Sequence, residues 1–123
     1  MNTRKRIVVI GATGHVGRAV VSALASDDVV GVGRHSTPSV DVTDPSSVER
    51  LFAGLGAVDA VVTALGTAPF RPLAELTRDD YLAALTGKVM TQLDVVRIAA
   101  PDAIPEAATR LREFLAAGRH GTM

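Results

Sequence analysis

The feature that most constrains this chain is the segment 7–17, IVVIGATGHVG. Four consecutive β-branched residues predict a strand buried on both faces, and they lead directly into three glycines spaced GxxGxxG. Gly11 is expected to make a tight turn, Gly14 to let the backbone approach a ligand, and Gly17 to bring a helix close to its strand. An amphipathic run follows, so the segment predicts a helix whose first N–H groups face an anion, most often a dinucleotide pyrophosphate. The alternative is that the glycines serve packing alone.

Length and charge set the class of protein. A chain of 123 residues suffices for one domain with a genuine core, and we expect a single domain over residues 1–123. Thirteen basic and thirteen acidic residues cancel, which indicates neither a nucleic-acid-binding surface nor a membrane surface. With no cysteine there is no thiolate metal site, and no metal is predicted. No apolar run is long enough for a membrane span and no signal peptide is evident, so we expect a cytoplasmic protein.

The rest of the pattern predicts an α/β fold with a parallel sheet. A second short strand follows the first helix and ends at Arg34, residues 40–42 predict a brief third strand, and residues 57–65 predict a fourth. Asp44 and Pro45 open a helix between the third and fourth strands as N-cap and first helical residue. The expected fold is a three-layer, truncated Rossmann domain with four parallel strands in the order 3-2-1-4.

A long helix over 78–100 follows, and a helical tail comes after it. Thr77 and Asp80 have the spacing of a capping box, and a weaker amphipathic helix is predicted over 105–117. Apolar residues at spacings of three and four predict the face of the long helix that packs on the sheet: Leu82, Leu85, Val89, Leu93, Val96 and Ala100.

Further apolar residues and an uncovered sheet edge predict a homodimer. Met90, Val95 and Ile98 lie off the main stripe of the helix 78–100, and the fourth strand contains only Asp59 as a charge at an edge that needs covering. We therefore expect two copies to pair through the helix 78–100 and the tail helix. The alternative is that the tail folds over the fourth strand and closes a monomer.

Residues 1–101 resemble the short-chain dehydrogenase/reductase family, in particular its short bacterial members with a GATGxxG loop, whereas residues 102–123 form a divergent tail. The resemblance rests on the GATGHVG loop and on the short motifs that follow the later strands. It implies binding of a nicotinamide dinucleotide, with roles carried over to Asp41 and Val42 after the third strand and to Ala64 and Gly66 after the fourth. Together with the glycine loop, the predicted cofactor-binding residues are Gly11, Thr13, Gly14, His15, Val16, Gly17, Arg34, His35, Asp41, Val42, Ala64 and Gly66.

The residue at the end of the second strand predicts which dinucleotide fits. An acidic side chain about twenty positions beyond the glycine loop bonds a free ribose 2′-hydroxyl, and this chain has Arg34 there. A guanidinium forms a bidentate pair with a 2′-phosphate, which favours NADP(H) over NAD(H). His35 is placed to assist, and His15 in the loop to touch a phosphate.

The catalytic pattern of the family is the main departure. The resemblance implies a Tyr-x-x-x-Lys pair after a fifth strand, whereas the only tyrosine here is Tyr81 at the start of the long helix. The remaining catalytic candidates are Lys88, Thr63 and His15, and none forms a nucleophile–base pair by spacing. Three functions stay open: a dinucleotide-binding protein without ordinary hydride transfer, a non-redox enzyme such as an isomerase, cyclase or dehydratase acting on a small molecule, and an oxidoreductase completed by a partner or by dimerisation.

Overall fold

The fold is an α/β arrangement around a short parallel sheet. The structure is a computed structural model that describes residues 4–66, 69–102 and 105–118. Residues 103–104 and 119–123 of the predicted tail lie outside the described residues. The elements are β1 (Arg6–Ile10), α1 (His15–Ala23), β2 (Asp28–Val32), α2 (Pro45–Leu55), β3 (Ala60–Thr63), a 3₁₀ turn (Leu73–Glu75), α3 (Arg78–Ala84), a π-helical segment (Leu85–Met90), α4 (Thr91–Asp102) and α5 (Pro105–Gly118).

The sheet has β1 at its centre. β1 pairs in parallel with β2 on one side and with β3 on the other, giving the order β2-β1-β3. Val8 lies opposite Val30 and Val61 in this register, and it is fully buried. The β-branched run of β1 is therefore the middle of the fold, as its sequence predicts.

The prediction of a third strand at residues 40–42 is wrong, so the described sheet has three strands rather than four and the predicted order 3-2-1-4 is wrong as well. In the described part of the chain this region reaches the sheet only through a single parallel bridge between Ser39 and Gly33. The backbone N–H of Asp41 donates to Ser47 Oγ at 2.9 Å, and its carboxylate accepts from the N–H of Thr43 at 3.0 Å. These local bonds turn the chain toward α2 before it can extend a ladder.

Helices cover the sheet on both faces. The chain leaves β1 toward β2 and later returns past β1 to β3, and right-handed crossovers in opposite directions place α1 and α2 on opposite faces. Asp44 caps α2 as predicted, since its carboxylate accepts from the N–H of Ser46 at 3.0 Å. The main core lies between one face of the sheet and the helices α2 and α4, and consists of Val8, Ile10, Val32, Val40, Val48, Leu51, Phe52, Val58, Val95 and Ala99.

The segments from α3 to α4 form one continuous helix over 78–102, the long helix, interrupted by π-helical geometry at 85–90. Its predicted capping box is confirmed, because Thr77 and Asp80 exchange both bonds. The predicted packing face is wrong: the side chains of the stripe Leu82, Leu85, Val89, Leu93 and Val96 are exposed, and the buried residues are Thr91, Val95 and Ala99.

The helical tail contributes α5, which contacts α4. Its described side chains from residue 112 to 118 are exposed. In the part of the chain that the structure describes, no helix is long and apolar enough to cross a membrane.

Candidate functional site

A cleft of about 610 Å³ opens at the carboxyl ends of the strands. The order of the sheet reverses at β1, so the cleft lies at the switch point where open α/β sheets place their ligands. Four segments line it, from the glycine loop, the end of β2, the turn before α2, and the end of β3 with the π-helical segment. The lining residues are Ile10, Gly11, Thr13, Gly33, Arg34, His35, Ser36, Val40, Val42, Thr43, Leu65, Gly66, Gly87 and Thr91.

The glycine loop forms the floor of the cleft. Gly11 has a φ of 87°, and its N–H donates to the carbonyl of Val32 at 2.9 Å. A β-carbon at Gly11 would collide with the carbonyl oxygen of Ala64, and one at Gly17 with the carbonyl oxygen of Gly11. Both positions therefore require glycine, because the loop is held between β2, β3 and α1 with no space for a side chain.

The start of α1 has no side-chain cap. Gly14 is the N-cap residue, and the first intrahelical bond runs from the N–H of Arg18 to its carbonyl at 2.9 Å. The first turn has no acidic residue. Free N–H groups and the positive end of the helix dipole make such a start suitable for an anion, and the neighbouring Thr13 lines the cleft.

Two basic side chains follow the end of β2. Arg34 and His35 are exposed and line the cleft. The loop beneath them is fixed by Ser36, whose Oγ accepts from the N–H of Gly33 at 2.7 Å and donates to the carbonyl of Pro38 at 2.6 Å. Among the described residues Arg34 has no hydrogen-bond partner and no carboxylate within ion-pair distance. Its guanidinium is therefore available to a ligand at this edge of the cleft, which we call the rim.

The turn after Val40 holds one carboxylate beside this rim. Asp41 Oδ1 accepts from the hydroxyl of Thr43 at 2.6 Å and from the N–H of Thr43 at 3.0 Å. These bonds, and to a smaller extent the charge of Arg34, hold the pKa of Asp41 below its ordinary value. Asp41 itself is not part of the cleft lining, whereas its neighbours Val42 and Thr43 are. The carboxylate therefore positions the cleft wall.

The opposite wall consists of Leu65, Gly66, Gly87 and Thr91. Thr91 is the buried polar residue of the described chain, at 4% exposure, and its hydroxyl donates to the carbonyl of Gly87 at 3.0 Å. This bond joins the first residue of α4 to the π-helical segment and gives the carbonyl of Gly87 a side-chain donor. Thr91 is therefore the one polar side chain among the four described residues of this wall.

The predicted cofactor residues divide into two groups. Gly11, Thr13, Arg34, His35, Val42 and Gly66 line the cleft. The others lie beside it, and they are Gly14, His15, Val16, Gly17, Asp41 and Ala64. The structure brings both groups to one end of the sheet, and their assignment as cofactor ligands stays a prediction.

None of the three catalytic candidates is part of the cleft lining. Thr63 donates its hydroxyl to Gln92 Oε1 at 3.3 Å, and His15 is exposed at the start of α1. The stem of Lys88 packs beside the cleft, since a β-carbon at Gly66 would lie 2.8 Å from Lys88 Cγ. No pair of these residues forms a hydrogen-bonded nucleophile and base within the described chain.

Sequence reasoning gave no binding role to Ile10, Gly33, Val40, Thr43 and Leu65, which also line the cleft. A signal was available for all of them except Val40, because the other four lie at or just beyond the carboxyl end of a predicted strand, where parallel sheets present their ligand crevice.

Known proteins match this architecture. The chain is 35% identical to a protein from Listeria innocua of known structure, with a TM-score of 0.75 over 81% of this chain and 50% of that one. It is 25% identical to a short-chain dehydrogenase from Streptomyces avermitilis, with a TM-score of 0.69 over 80% of this chain and 44% of the other. A Burkholderia multivorans short-chain dehydrogenase/reductase with bound NADP, at 21% identity, shares the fold with a TM-score of 0.67 over 80% of this chain and 54% of its own.

The chain thus spans about half the length of the solved structures that it matches. No curated protein matches it significantly. The model of the NAD dependent epimerase/dehydratase family matches residues 7–117, which contain the glycine loop, β1 from its second residue onward, β2, β3 and the cleft. On this match the chain belongs to the NAD dependent epimerase/dehydratase family.

Proposed function

We propose that the cleft binds NADP(H) and that the chain by itself does not carry out ordinary ketone reduction. The observation that carries the proposal is that an uncapped helix start lies beside the cleft, and that the guanidinium of Arg34, which lines the cleft, makes no hydrogen bond or ion pair among the described residues. A dinucleotide phosphate satisfies the first group, and a ribose 2′-phosphate satisfies the second.

The charged residues at the rim of the cleft favour binding of NADP(H) over NAD(H). Arg34 lines the cleft, whereas Asp41 is held by Thr43 outside the lining. An acidic residue at the end of β2 would repel a 2′-phosphate, and this chain has none at that position. The Burkholderia protein with the same fold is described with bound NADP, which supports the class of ligand.

Titration of the protein with NADPH and NADH tests the binding. We expect tighter binding of NADPH, and Arg34→Ala should weaken it by about 10- to 100-fold, since a charge-assisted hydrogen bond contributes about 1.5–3 kcal/mol. NADH affinity should change little. The matched control is Arg78→Ala, which removes the same charge from an exposed site outside the cleft.

Equal affinities of the wild-type protein for the two cofactors would contradict the role of Arg34. Binding of neither cofactor, with a small apolar molecule occupying the cleft instead, would favour the non-redox class of function.

Among the described residues that line the cleft there is no tyrosine, which supports the second half of the proposal. Tyr81 is half-exposed on α3 and outside the lining, and four residues later the chain has Leu85 rather than lysine. Positioned acid–base catalysis contributes about 10²–10⁴ in rate, so we expect no robust NADPH oxidation with simple ketones by the isolated chain.

The measurement is NADPH consumption with a panel of ketones and quinones. Turnover that disappears on substitution of Lys88, Thr63 or His15 would show that one of these candidates is catalytic. Turnover that appears only at high protein concentration would favour an oxidoreductase completed by dimerisation.

A further inference from the structure

A second cavity, which we call the groove, lies between α2 and the loop that follows β2. Its volume is about 520 Å³, which is within the range of small-molecule sites. The groove and the cleft share no lining residue, although one loop contributes to both. Residues 34–36 of this loop line the cleft, and residues 37–39 line the groove.

The polar side chains of the groove are all able to donate hydrogen bonds. Thr37 and Ser39 are exposed, and their hydroxyls make no hydrogen bond among the described residues. Ser47 Oγ accepts from the N–H of Asp41 at 2.9 Å, and its own proton has no acceptor in that part of the chain. No carboxylate is found among the described residues that line the groove. Three hydroxyl donors without a neighbouring carboxylate suit an anion.

Arg50 on α2 supplies the positive charge of the groove. Its Nη2 lies 3.8 Å from Asp44 Oδ2, which is too far for a hydrogen bond, and its side chain is 72% exposed. The other oxygen of Asp44 accepts from the N–H of Ser46, so the carboxylate is held at the helix start. An exposed ion pair of this length contributes little to stability, and the guanidinium is therefore free to bond to a ligand.

The rest of the groove is apolar, and a glycine keeps it open. Leu51 and Leu55 line it from α2, and Pro38 lines it from the loop. A β-carbon at Gly54 would meet no atom of the described chain within 4 Å beyond its own helix turn. Packing therefore does not require glycine here, although glycine is less favourable than alanine within a helix. The space beside Gly54 is available to an apolar part of a ligand.

We propose that the groove binds a small organic phosphate, with its phosphoryl oxygens at Arg50 and the hydroxyls and its apolar body against the two leucines. A phosphate ester presents three acceptor oxygens, which match a guanidinium and several hydroxyls better than the two oxygens of a carboxylate do. The site is separate from the cleft, so the inference does not depend on the proposed binding of NADP(H).

Four probes separate the phosphoryl group from the apolar body: phenyl phosphate, benzoate, benzyl alcohol and inorganic phosphate. Backbone amide NMR of the full chain gives both the place of binding and the affinity. Phenyl phosphate should shift the signals of Ser39 and Gly54 in a saturable way, at least about 5-fold more tightly than benzoate or inorganic phosphate. Benzyl alcohol should leave these signals unchanged. Equal affinities for phenyl phosphate and inorganic phosphate would overturn the organic ester and assign the groove to free phosphate.

Arg50→Ala tests the cation of the groove. It should weaken binding of phenyl phosphate by about 10-fold, because a charge-assisted hydrogen bond is lost. Arg78→Ala is the matched control, since it removes the same charge from an exposed helical site outside the groove, and it should leave the affinity unchanged. Arg50→Lys should retain part of the binding, because the charge remains without the forked geometry.

Gly54→Leu tests the same site without removing a donor. The new side chain should fill the space beside residue 54 and abolish binding of phenyl phosphate. Gly54→Ala is its control and should bind nearly as the wild type does. Melting curves establish that each variant is folded.

An absence of saturable shifts at Ser39 and Gly54 overturns the proposal. So does phenyl phosphate binding that NADPH displaces, or that Arg34→Ala removes and Arg50→Ala does not, because the probe then lies in the cleft. NADPH binding by a protein whose groove takes no phosphate ester would leave the proposed function standing. Phenyl phosphate in the groove of a protein that binds neither NADPH nor NADH would leave this inference standing.

Discussion

Two helices on the same face of the sheet use their apolar stripes in opposite ways. α2 buries Val48, Leu51 and Phe52, which recur at helical spacing, in the core. The long helix turns its most regular stripe to solvent and packs a different side against the sheet. Both patterns have the helical period, so the period alone does not tell which partner an apolar face meets.

The difference arises from the number of apolar faces. α2 has one, and its remaining surface is polar or small, so it has a single way to pack. The long helix has two, and the side chosen for the sheet contains Thr91 and Ala99, whose small side chains allow the helix to lie close to the end of β3 and the cleft. A face of leucines would hold the helix farther away.

Phe52→Ala tests the buried stripe and should have the largest effect. Removing this side chain, which is 6% exposed, leaves a cavity between α2 and the sheet and should cost about 3–5 kcal/mol of unfolding free energy. Urea denaturation measures the change. Phe114→Ala, at a 73% exposed site on α5, should stay within about 0.5 kcal/mol, and a similar loss in both variants would contradict the difference in burial.

Neighbouring valines on the long helix sharpen the comparison within one element. Val95 is 1% exposed and Val96 is 54% exposed. Val95→Ala should cost about 2 kcal/mol, from two methyl groups and the cavity they leave, whereas Val96→Ala should cost less than about 0.5 kcal/mol in dilute protein. Urea denaturation of both variants at low protein concentration measures the two losses. A larger loss for Val96→Ala than for Val95→Ala would instead support the orientation that the sequence predicts.

The N-terminal caps of α2 and of the long helix should contribute about equally to the free energy of unfolding. Asp44 accepts from the N–H of Ser46, and Thr77 accepts from the N–H of Asp80. Asp44→Ala and Thr77→Ala should each lower the free energy of unfolding by about 1 kcal/mol. A cap bonds to backbone N–H groups, so its contribution does not depend on which side of the helix is apolar. Urea titrations of both variants check this. A cap that matters at one helix only would indicate that the other helix start is held by packing.

The start of the long helix should also give a small pH dependence. The N–H of Thr77 lowers the pKa of Asp80 most, and the hydroxyl of Thr77 and the charge of Arg71 lower it further. A lowered carboxyl pKa contributes stability that is present above the ordinary aspartate value and is lost as pH falls through the folded value. Unfolding free energy should therefore decline below about pH 4.

Asp80→Asn should flatten that decline, as measured by urea denaturation at several pH values. Asp79→Asn is its control, because Asp79 makes no hydrogen bond or ion pair among the described residues. A decline that survives unchanged in Asp80→Asn would assign it to other carboxylates.

The elements with strong local signals could be predicted from the sequence. The β-branched run of β1, the cap of α2 and the capping box at Thr77 all have causes within a few residues, and the structure confirms each. The strand expected at 40–42 failed because its polar groups bond to Ser47 and Thr43, and such side-chain competition is not visible in a pattern of apolar residues.

The cleft was predictable in part. Its glycine loop and rim have sequence signatures, so Gly11, Thr13 and Arg34 could be named in advance. The far wall depends on how the long helix lies against β3, which is a tertiary arrangement. Gly87 and Thr91 belong to the wall because the helix packs its side with small residues inward. The local sequence does not specify which side of the helix packs inward.

The π-helical segment has a thermodynamic consequence. Gly87 lines the cleft, and two residues later Val89 lies at the centre of the outward stripe, so one short segment belongs to both surfaces. Coupling between two binding events is reciprocal. Any free energy by which an occupant of the cleft favours a contact at the outward stripe must therefore reappear, in equal amount, as tighter binding of that occupant when the contact is made.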